Sequence, residues 1–356
     1  MTHATPPLSA SIADIKALIH RESRRVTSYD VAIAAGVSQS AVSRCFKPGA
    51  SVSKATYARV MQAAADLDYT PNAAARSLNT RRSNLVALIA SDQLHVQSPE
   101  LLAELSRQFA LRGMRIVLFS QPRESVPGSL SEVWEHQLDG AIVAASLSDL
   151  QLAEFERRGL PYVLFNLSAR DKNVNAIICD QVGAARAMVA RLAAAGHKRF
   201  AMIDGPADSA MAQQRRRGVA ERLAELGLAA PLSVNGEHDY ASGARGLREI
   251  VALLGRAPDA IICGSDAMAI GCLDTARHEL GLDVPGQLSV TGFDGTAQAG
   301  WLSYNLTTLR QPLRQMAQAT ADVLAGLIGA GNLGAERRVF SANIVEGATA
   351  RLGPAP

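Results

Sequence analysis

Eight short apolar runs recur beyond residue 84: LVALIA (85–90), RIVLFS (115–120), GAIVAA (140–145), YVLFN (162–166), AIIC (176–179), RFAMID (199–204), AIIC (260–263) and LSVTGFD (288–294). Longer stretches of helical periodicity separate them. A strand with one wet face alternates polar and apolar residues, whereas a continuously apolar strand has to be covered on both faces. Such strands alternating with helices imply parallel sheets between helix layers. There are too many for one small sheet, so the expected core is two doubly wound βαβ subdomains facing each other across a cleft. With 48% hydrophobic but only 4% aromatic residues, its interior must be aliphatic and alanine-rich.

The first 83 residues have a different texture. Of 36 basic and 33 acidic residues, 11 and 5 fall in residues 1–83, leaving 25 and 28 for residues 84–356. A basic head on a mildly acidic body is the charge pattern of a module that meets a polyanion. Residues 26–70 read as three short helices. Thr27-Ser28-Tyr29-Asp30 is a capping box opening the first, and Gly36 supplies the turn that stops it. Ser38 caps a second helix over Gln39–Phe46, and Ser53 caps a third, with Val60, Ala64 and Leu67 on one face and Pro71 at its end. Val31 and Ala35 before the turn and Val37 and Val42 after it supply the small core of two crossed helices. That leaves Gln39, Ser40 and Arg44 outward, side chains suited to adenine and guanine edges in a major groove. Ser28, Tyr29, Ser38, Ser43 and Ser53 are placed to bond phosphates. On pattern alone, a generic three-helix bundle with a polar face fits the same spacing.

Several classes are disfavoured. Cys45, Cys179, Cys263 and Cys272 have neither CxxC nor metal-ligand spacing, which fits a reducing cytoplasm, and no cofactor or metal is expected. No apolar stretch nears the length of a membrane span. The N-terminus has no apolar signal core, which argues against export. Residues 1–25 are read as a poorly ordered extension; a short amphipathic helix through Ile12, Ile15, Leu18 and Ile19, followed by Arg21, Arg24 and Arg25, is the alternative.

The stretch from Val26 to Leu78 resembles the headpiece of the lactose/galactose/purine repressor family. V-T-x-x-D-V-A, A-G-V-S, V-S-R, V-S-x-x-T and L-x-Y-x-P-N all stand at family spacing. The resemblance implies a sequence-specific DNA-binding regulator, expected to be a repressor, with Gln39, Ser40 and Arg44 as base readers and Thr27 beside the phosphate contacts. Asn72–Leu78 is then a hinge helix carrying Asn72, Ala75 and Leu78, with Leu78 wedging a minor-groove base step, as apolar wedges do elsewhere. Burial in the linker is the plainer reading of Leu78. The 25 residues before Val26 are extra, and the resemblance says nothing about them.

Polar residues stand at the carboxyl ends of the runs, where doubly wound folds bind ligands: Ser91-Asp92, Ser120-Gln121, Ser146, Asn166, Asp204, Ser265-Asp266 and Asp294. Any one of them could simply cap a strand entering a loop. Residues 84–350 also resemble the family's sugar-binding-protein-like core. That implies an effector site from Ser91, Asp92, Asn166, Arg215 (in RRRG), Ser265 and Asp266 (in GSDAMAIG), Asp294 (in SVTGFDG) and Gln311 (in LTTLRQP). For Asp266, helix capping is an equal alternative. The implied partners are a palindromic DNA operator, a small polar effector such as a sugar or sugar acid, and a second copy of the chain, a tetramer remaining open. The organisation expected is an extension over 1–25, a helix-turn-helix domain over 26–71, hinge and linker over 72–83, and an effector-binding and dimerisation core over 84–350 with crossovers near 180 and 311. Tyr304-Asn305 replaces the Pro-Pro that often precedes the family's L-T-T segment, and aromatic residues are sparse, so a stacking platform for a sugar is not assured. An enzyme on the same sheets is the rival reading; there is no G-x-S-x-G elbow, P-loop or G-x-G-x-x-G fingerprint after the first strand. A free solute-binding protein is the other rival, disfavoured by the headpiece. The expected location is the cytoplasm, at the nucleoid.

Overall fold

The computed structural model describes residues 11–47, 49–71, 82–91, 99–121, 130–167, 174–330 and 334–354. The chain divides into two compact units, Met1–Ser83 and Asn84–Pro356.

The first unit is helical: α1 (Ile12–Arg21), α2 (Ser28–Ala35), α3 (Gln39–Cys45) and α4 (Lys54–Asp66). Thr27, Ser38 and Ser53 cap α2, α3 and α4, each side chain accepting a backbone N–H three residues on. Gly36 takes the left-handed conformation (φ +62°) that ends α2 and aims the chain into α3. Val31, Ala35, Val42, Val60, Ala64 and Leu67 are buried together, and Phe46 meets Tyr69 edge to face at 5.6 Å. Helix α4 ends before Pro71 is reached: Asp68 turns left-handed (φ +54°), and the Tyr69 N–H donates to the Ala64 carbonyl at 2.8 Å.

Within the N-terminal extension, residues 12–21 depart from the expected disorder and take the alternative, a short amphipathic helix. Residues 12–21 form a helix with a capping box between Ser11 and Asp14, and Ile15 is fully buried in the headpiece core. The expectation assumed an untethered terminus. Ile15, flanked by Ile12 and Ile19, ties this one down, and burying such a side chain is worth about 1.5–3 kcal/mol.

The second unit holds two six-stranded sheets. The first runs β11-β5-β4-β3-β1-β2 and the second β12-β10-β9-β8-β6-β7. Their strands are β1 (Leu85–Ser91), β2 (Arg115–Gln121), β3 (Gly140–Val143), β4 (Tyr162–Phe165), β5 (Ala176–Cys179), β6 (Phe200–Asp204), β7 (Leu232–Asn235), β8 (Ala260–Cys263), β9 (Ser289–Asp294), β10 (Thr307–Arg310), β11 (Arg337–Phe340) and β12 (Asn343–Val345). All pairings are parallel except β10 with β12. The two-faced burial is visible within one strand. Val86, Leu88 and Ala90 of β1 pack on α5 (Pro99–Leu111) and α12 (Leu313–Ala330), while Ala87 and Ile89 pack on α6 (Ser131–Glu135) and α7 (Asp149–Arg158). In the second sheet, Phe200 and Met202 face α8 (Gln181–Ala194) and α9 (Ala210–Glu225); Ala201 and Ile203 face α10 (Tyr240–Leu254) and α11 (Asp266–Asp274).

The chain passes between the sheets three times: after β5, after β10, and at Ser341–Ala342 between β11 and β12. The third passage has no counterpart in the sequence reading. Strands β7, β11 and β12 are edge strands only partly buried, so they lack the continuous apolar signature. Strand β10 is buried but hydroxyl-rich; the Thr307 N–H is satisfied by Thr349 Oγ1 at 3.0 Å.

Helices α10 and α11 touch backbone to backbone. A Cβ on Gly243 would overlap the Met268 carbonyl, and one on Gly271 would overlap the Tyr240 carbonyl. Because neither backbone can yield alone, Gly271→Ala is expected to destabilise the second unit by about 3 kcal/mol, as overpacking does, read as a lower urea midpoint. An unchanged midpoint would mean the helices slide freely.

Candidate functional site

In the headpiece, α2 and α3 are joined at their starts: Gln39 Nε2 donates to Ser28 Oγ at 3.1 Å. Tyr29, Ser40, Ser43 and Arg44 are exposed. Among the described residues, neither the Ser43 nor the Arg44 side chain has a hydrogen-bond partner, so both stand free for an external ligand. Ser38 and Ser53 combine an N-cap role with contacts to Ser40 Oγ (2.9 Å) and Thr56 Oγ1 (2.9 Å). Thr27 is engaged more fully. Its N–H and hydroxyl both donate to Asp30 Oδ2, at 2.8 and 2.7 Å. Arg24 forks onto the same buried carboxylate at 2.7 and 2.8 Å. The bonds from Arg24 and Thr27 outweigh burial and hold the Asp30 carboxyl below its ordinary range. Asn72, Ala75 and Leu78 lie outside the described residues.

In the second unit the carboxyl ends of the strands bring four predicted residues into one hydrogen-bonded chain. Arg215, on α9 and buried, donates from Nε to Gln181 Oε1 (2.9 Å), from Nη1 to the Gly264 carbonyl, and from Nη2 to Asp294 Oδ1 (3.0 Å). Its guanidinium lies 3.6 Å from the centroid of the Phe293 ring. Asp294 Oδ1 also accepts from Gln311 Nε2 at 3.1 Å. Gln311 Oε1 accepts from Asn166 Nδ2 at 2.8 Å, and Asn166 Oδ1 accepts the Cys179 N–H at 2.9 Å. The chain therefore runs from the second sheet through a crossing segment into the first. Both strand-end residues are in unusual backbone conformations, Asn166 at φ +54° and Asp294 at φ +119°. A separate bridge joins the subdomains where the Ala297 N–H donates to Glu100 Oε1 at 3.2 Å. Ser91 ends β1, half-buried, and Asp92 lies outside the described residues. A cavity of about 700 Å³ is lined by Val143, Ser146, Leu164, Leu167 and, from the second subdomain, Ala210, and by none of Asn166, Arg215, Asp294 or Gln311.

Two further predicted residues make bonds within the scaffold. Ser265 Oγ caps α11 by accepting the Met268 N–H at 3.3 Å. Asp266, buried, accepts the Thr296 N–H (2.7 Å) and hydroxyl (3.0 Å) on one carboxylate oxygen and the Thr308 hydroxyl on the other. Both of its oxygens are thus bonded within the protein. Gln181 is a site residue that sequence reading missed; its signal was its place as the first helical residue after the crossing at β5. His197 is also structural. It is buried, with Nε2 at 3.1 Å from the Arg351 carbonyl and 3.2 Å from Ser289 Oγ, and so pins the C-terminal segment.

A helix-turn-helix unit preceding a two-sheet ligand cleft defines a class: DNA-binding regulators built on a periplasmic-binding-protein core. The family profile of bacterial regulatory proteins of the lacI family matches residues 27–72, and that of the periplasmic binding protein-like domain matches residues 189–350. The chain is 32% identical to the HTH-type transcriptional regulator CelR of Thermobifida fusca, over 85% of this chain and 93% of that one. It superposes on the crystal structure of the lac repressor dimer bound to operator and the anti-inducer ONPF with a TM-score of 0.83, at 26% identity, covering 92% of this chain and 99% of that one. On the CelR–cellobiose complex the TM-score is 0.68, at 26% identity, covering 91% and 100%. The chain belongs to the lacI family of bacterial regulatory proteins; it is a DNA-binding transcriptional regulator.

Two cleft-side carboxyls carry a pH signature. Burial pushes Asp204 up to about 6, and one of its oxygens has no partner among the described residues. Burial, with the nearby charge of Asp294, pushes Asp266 up to about 7. A carboxyl whose folded value exceeds its unfolded value of 3.8 leaves the fold intact at low pH and burdens it as it ionises. Wild type should therefore lose about 2–3 kcal/mol relative to Asp204→Asn between about pH 4 and pH 7, read as the difference in urea midpoints. A difference that does not vary with pH would show Asp204 to be freely hydrated.

Proposed function

We propose that the protein represses transcription by binding a palindromic operator as a homodimer, and that a small polar effector, a sugar or sugar derivative, sets its affinity. The observation that carries this reading is the chain of hydrogen bonds from Asn166 through Gln311 and Asp294 to Arg215, which links the two sheets across the cleft. A polyol entering there exchanges its hydroxyls for these bonds and so changes how the sheets are held together. Arg215, Asp294, Gln311 and Asn166, with Ser91 and Asp92, are the assigned effector residues. Buried donors and acceptors of this kind suit a polyhydroxylated ligand, and the relative solved with cellobiose supports the same class.

On the DNA side, Gln39, Ser40 and Arg44 are assigned to base edges, and Ser28, Tyr29, Ser38, Ser43 and Ser53 to phosphates. Thr27 has the lesser direct share, its donors being engaged with Asp30. Asn72, Ala75 and Leu78 are assigned to a hinge helix in the minor groove. An isolated helix so short is marginal in water. A coupling of about 1–3 kcal/mol between cleft and hinge is enough to change operator occupancy 5–150-fold. The reading includes no catalytic step and places the protein in the cytoplasm, at the nucleoid. Among the described residues no helix is long and apolar enough to cross a membrane.

Selection from random duplexes should return a palindrome. Against it, Arg44→Ala is expected to relax one base position per half-site and to weaken binding by about 1–3 kcal/mol; unchanged preference and affinity would remove Arg44 from the readers. In the cleft, Arg215→Lys keeps the charge opposite Asp294 but loses the fork. The sugar found by a thermal-shift screen should then bind about 10- to 100-fold more weakly, as expected for the loss of a charge-assisted hydrogen bond, with operator affinity retained. Loss of both together would make Arg215 a purely structural residue.

A further inference from the structure

The family profile begins at residue 27, yet among the described residues the headpiece already includes α1 with its cap Ser11. Helix α1 is docked through Ile15, and the arm that follows is fixed by Arg24. The Arg24 guanidinium makes four contacts: Glu22 Oε2 at 2.7 Å, the two oxygens of Asp30 at 2.7 and 2.8 Å, and the Arg25 carbonyl at 3.3 Å. The next residue behaves oppositely. Among the described residues Arg25 has an exposed side chain with no ion pair, on a segment outside helix and strand that leads straight into Thr27 and Ser28. Burial alternates along the segment, Arg24 and Val26 partly buried and Arg25 and Thr27 exposed, so Arg25 faces outward where Arg24 faces in.

We infer that the extension belongs to the DNA-reading surface: Arg24 is a positioning residue that clamps the arm, and Arg25 holds an operator phosphate beside the one met by the start of α2. This rests on the DNA-binding reading and adds a contact outside the stretch the family profile covers. Two observations commit the surface to a polyanion. The first is continuity. Arg25 is three residues from Ser28, within about 10 Å of chain, and Ser28 is bonded to Gln39, the first residue of the outward-facing α3. The second is charge. Residues 11–25 hold four basic and two acidic residues, and Arg24 is the one matched internally by Glu22 and Asp30. Arg21 is accounted for otherwise, at the end of α1, where a cation complements the helix dipole.

The test uses the full-length chain and the selected operator duplex, with affinity measured by fluorescence anisotropy as salt rises from about 50 to about 200 mM. Each lost phosphate contact lowers the slope of log K against log salt by about 0.9. In the homodimer Arg25→Gln removes one such contact per half-site, so it should lower the slope by about two and soften the salt-induced loss of affinity by about tenfold, at an unchanged melting temperature. Arg256→Gln, which removes an exposed cation from the second unit, controls for net charge and should leave the slope alone. Arg24→Gln should lower both the slope and headpiece melting. An unaltered slope and affinity in Arg25→Gln overturns the inference, and if Arg24→Gln still weakens binding, the extension merely braces the headpiece. A wild-type chain that retains no duplex defeats the DNA-binding reading itself, a result distinct from an unaltered slope.

Discussion

The cleft depends on one buried cation. Arg215 has each guanidinium nitrogen engaged, by Gln181, by the Gly264 carbonyl and by Asp294, and it lies over Phe293. These partners come from three places in the chain: the first turn of α8, the end of β8 and the end of β9. Truncating a buried, hydrogen-bonded charge strands its partner and typically destabilises by about 3–5 kcal/mol. The second subdomain is therefore closed at its cleft end by electrostatics, while its two apolar layers close it above and below. A fork also fixes direction, which a lysine cannot do. Asp294 is held with one oxygen toward both Arg215 and Gln311, and that orientation lets the chain of bonds continue to Asn166 in the other subdomain.

Three passages of the chain between the sheets constrain what can move. Helix α12 leaves β10 of the second sheet yet buries Met316, Ala317 and Leu324 in the first, and β12 then returns to pair with β10. Neither subdomain is a continuous stretch, so they cannot part, and any rearrangement must bend at residues 179–181, 311–312 and 341–342. Gln311 sits in one of these segments and takes part in the cleft network. On the proposed function Gln311 is both a bend residue and an effector contact, which suits a population shift between two arrangements, because the effector must interact differently with the two states to move their balance.

Much of this was legible in the residues. Strands buried on both faces announce themselves by continuous apolar runs, and the capping residues Thr27, Ser38 and Ser53 marked helix starts that the structure bears out. Edge strands escaped for the converse reason: Arg337–Phe340 and Asn343–Val345 need no apolar signature because one side of each is wet. In the cleft, the sequence located strand-end polar residues but could not apportion their hydrogen bonds. Asp266 and Asp294 look alike in one dimension. The first is enclosed by Thr296 and Thr308, and the second faces Arg215 and Gln311. That difference arises from residues some 17 to 79 positions apart and has no local trace. Helix α1 was misjudged because its apolar stripe is short, and its partner became evident only once the headpiece core was assembled.

The backbone at two members of the cleft network carries a further constraint. Non-glycine residues with positive φ are uncommon, and such positions persist where surrounding bonds over-determine them, at about 1–3 kcal/mol each. Asn166 at φ +54° and Asp294 at φ +119° are both of this kind. Asn and Asp are the side chains that best tolerate it, since their short polar groups bond nearby. Asn166 holds its turn by accepting the Cys179 N–H, and Asp294 does so through Arg215 and Gln311. The same bonds that join the subdomains therefore hold two strained turns in place. A ligand that takes over those bonds also takes over the restraint on the turns, so binding energy gained at the cleft can be transmitted as backbone movement at strand ends in both sheets.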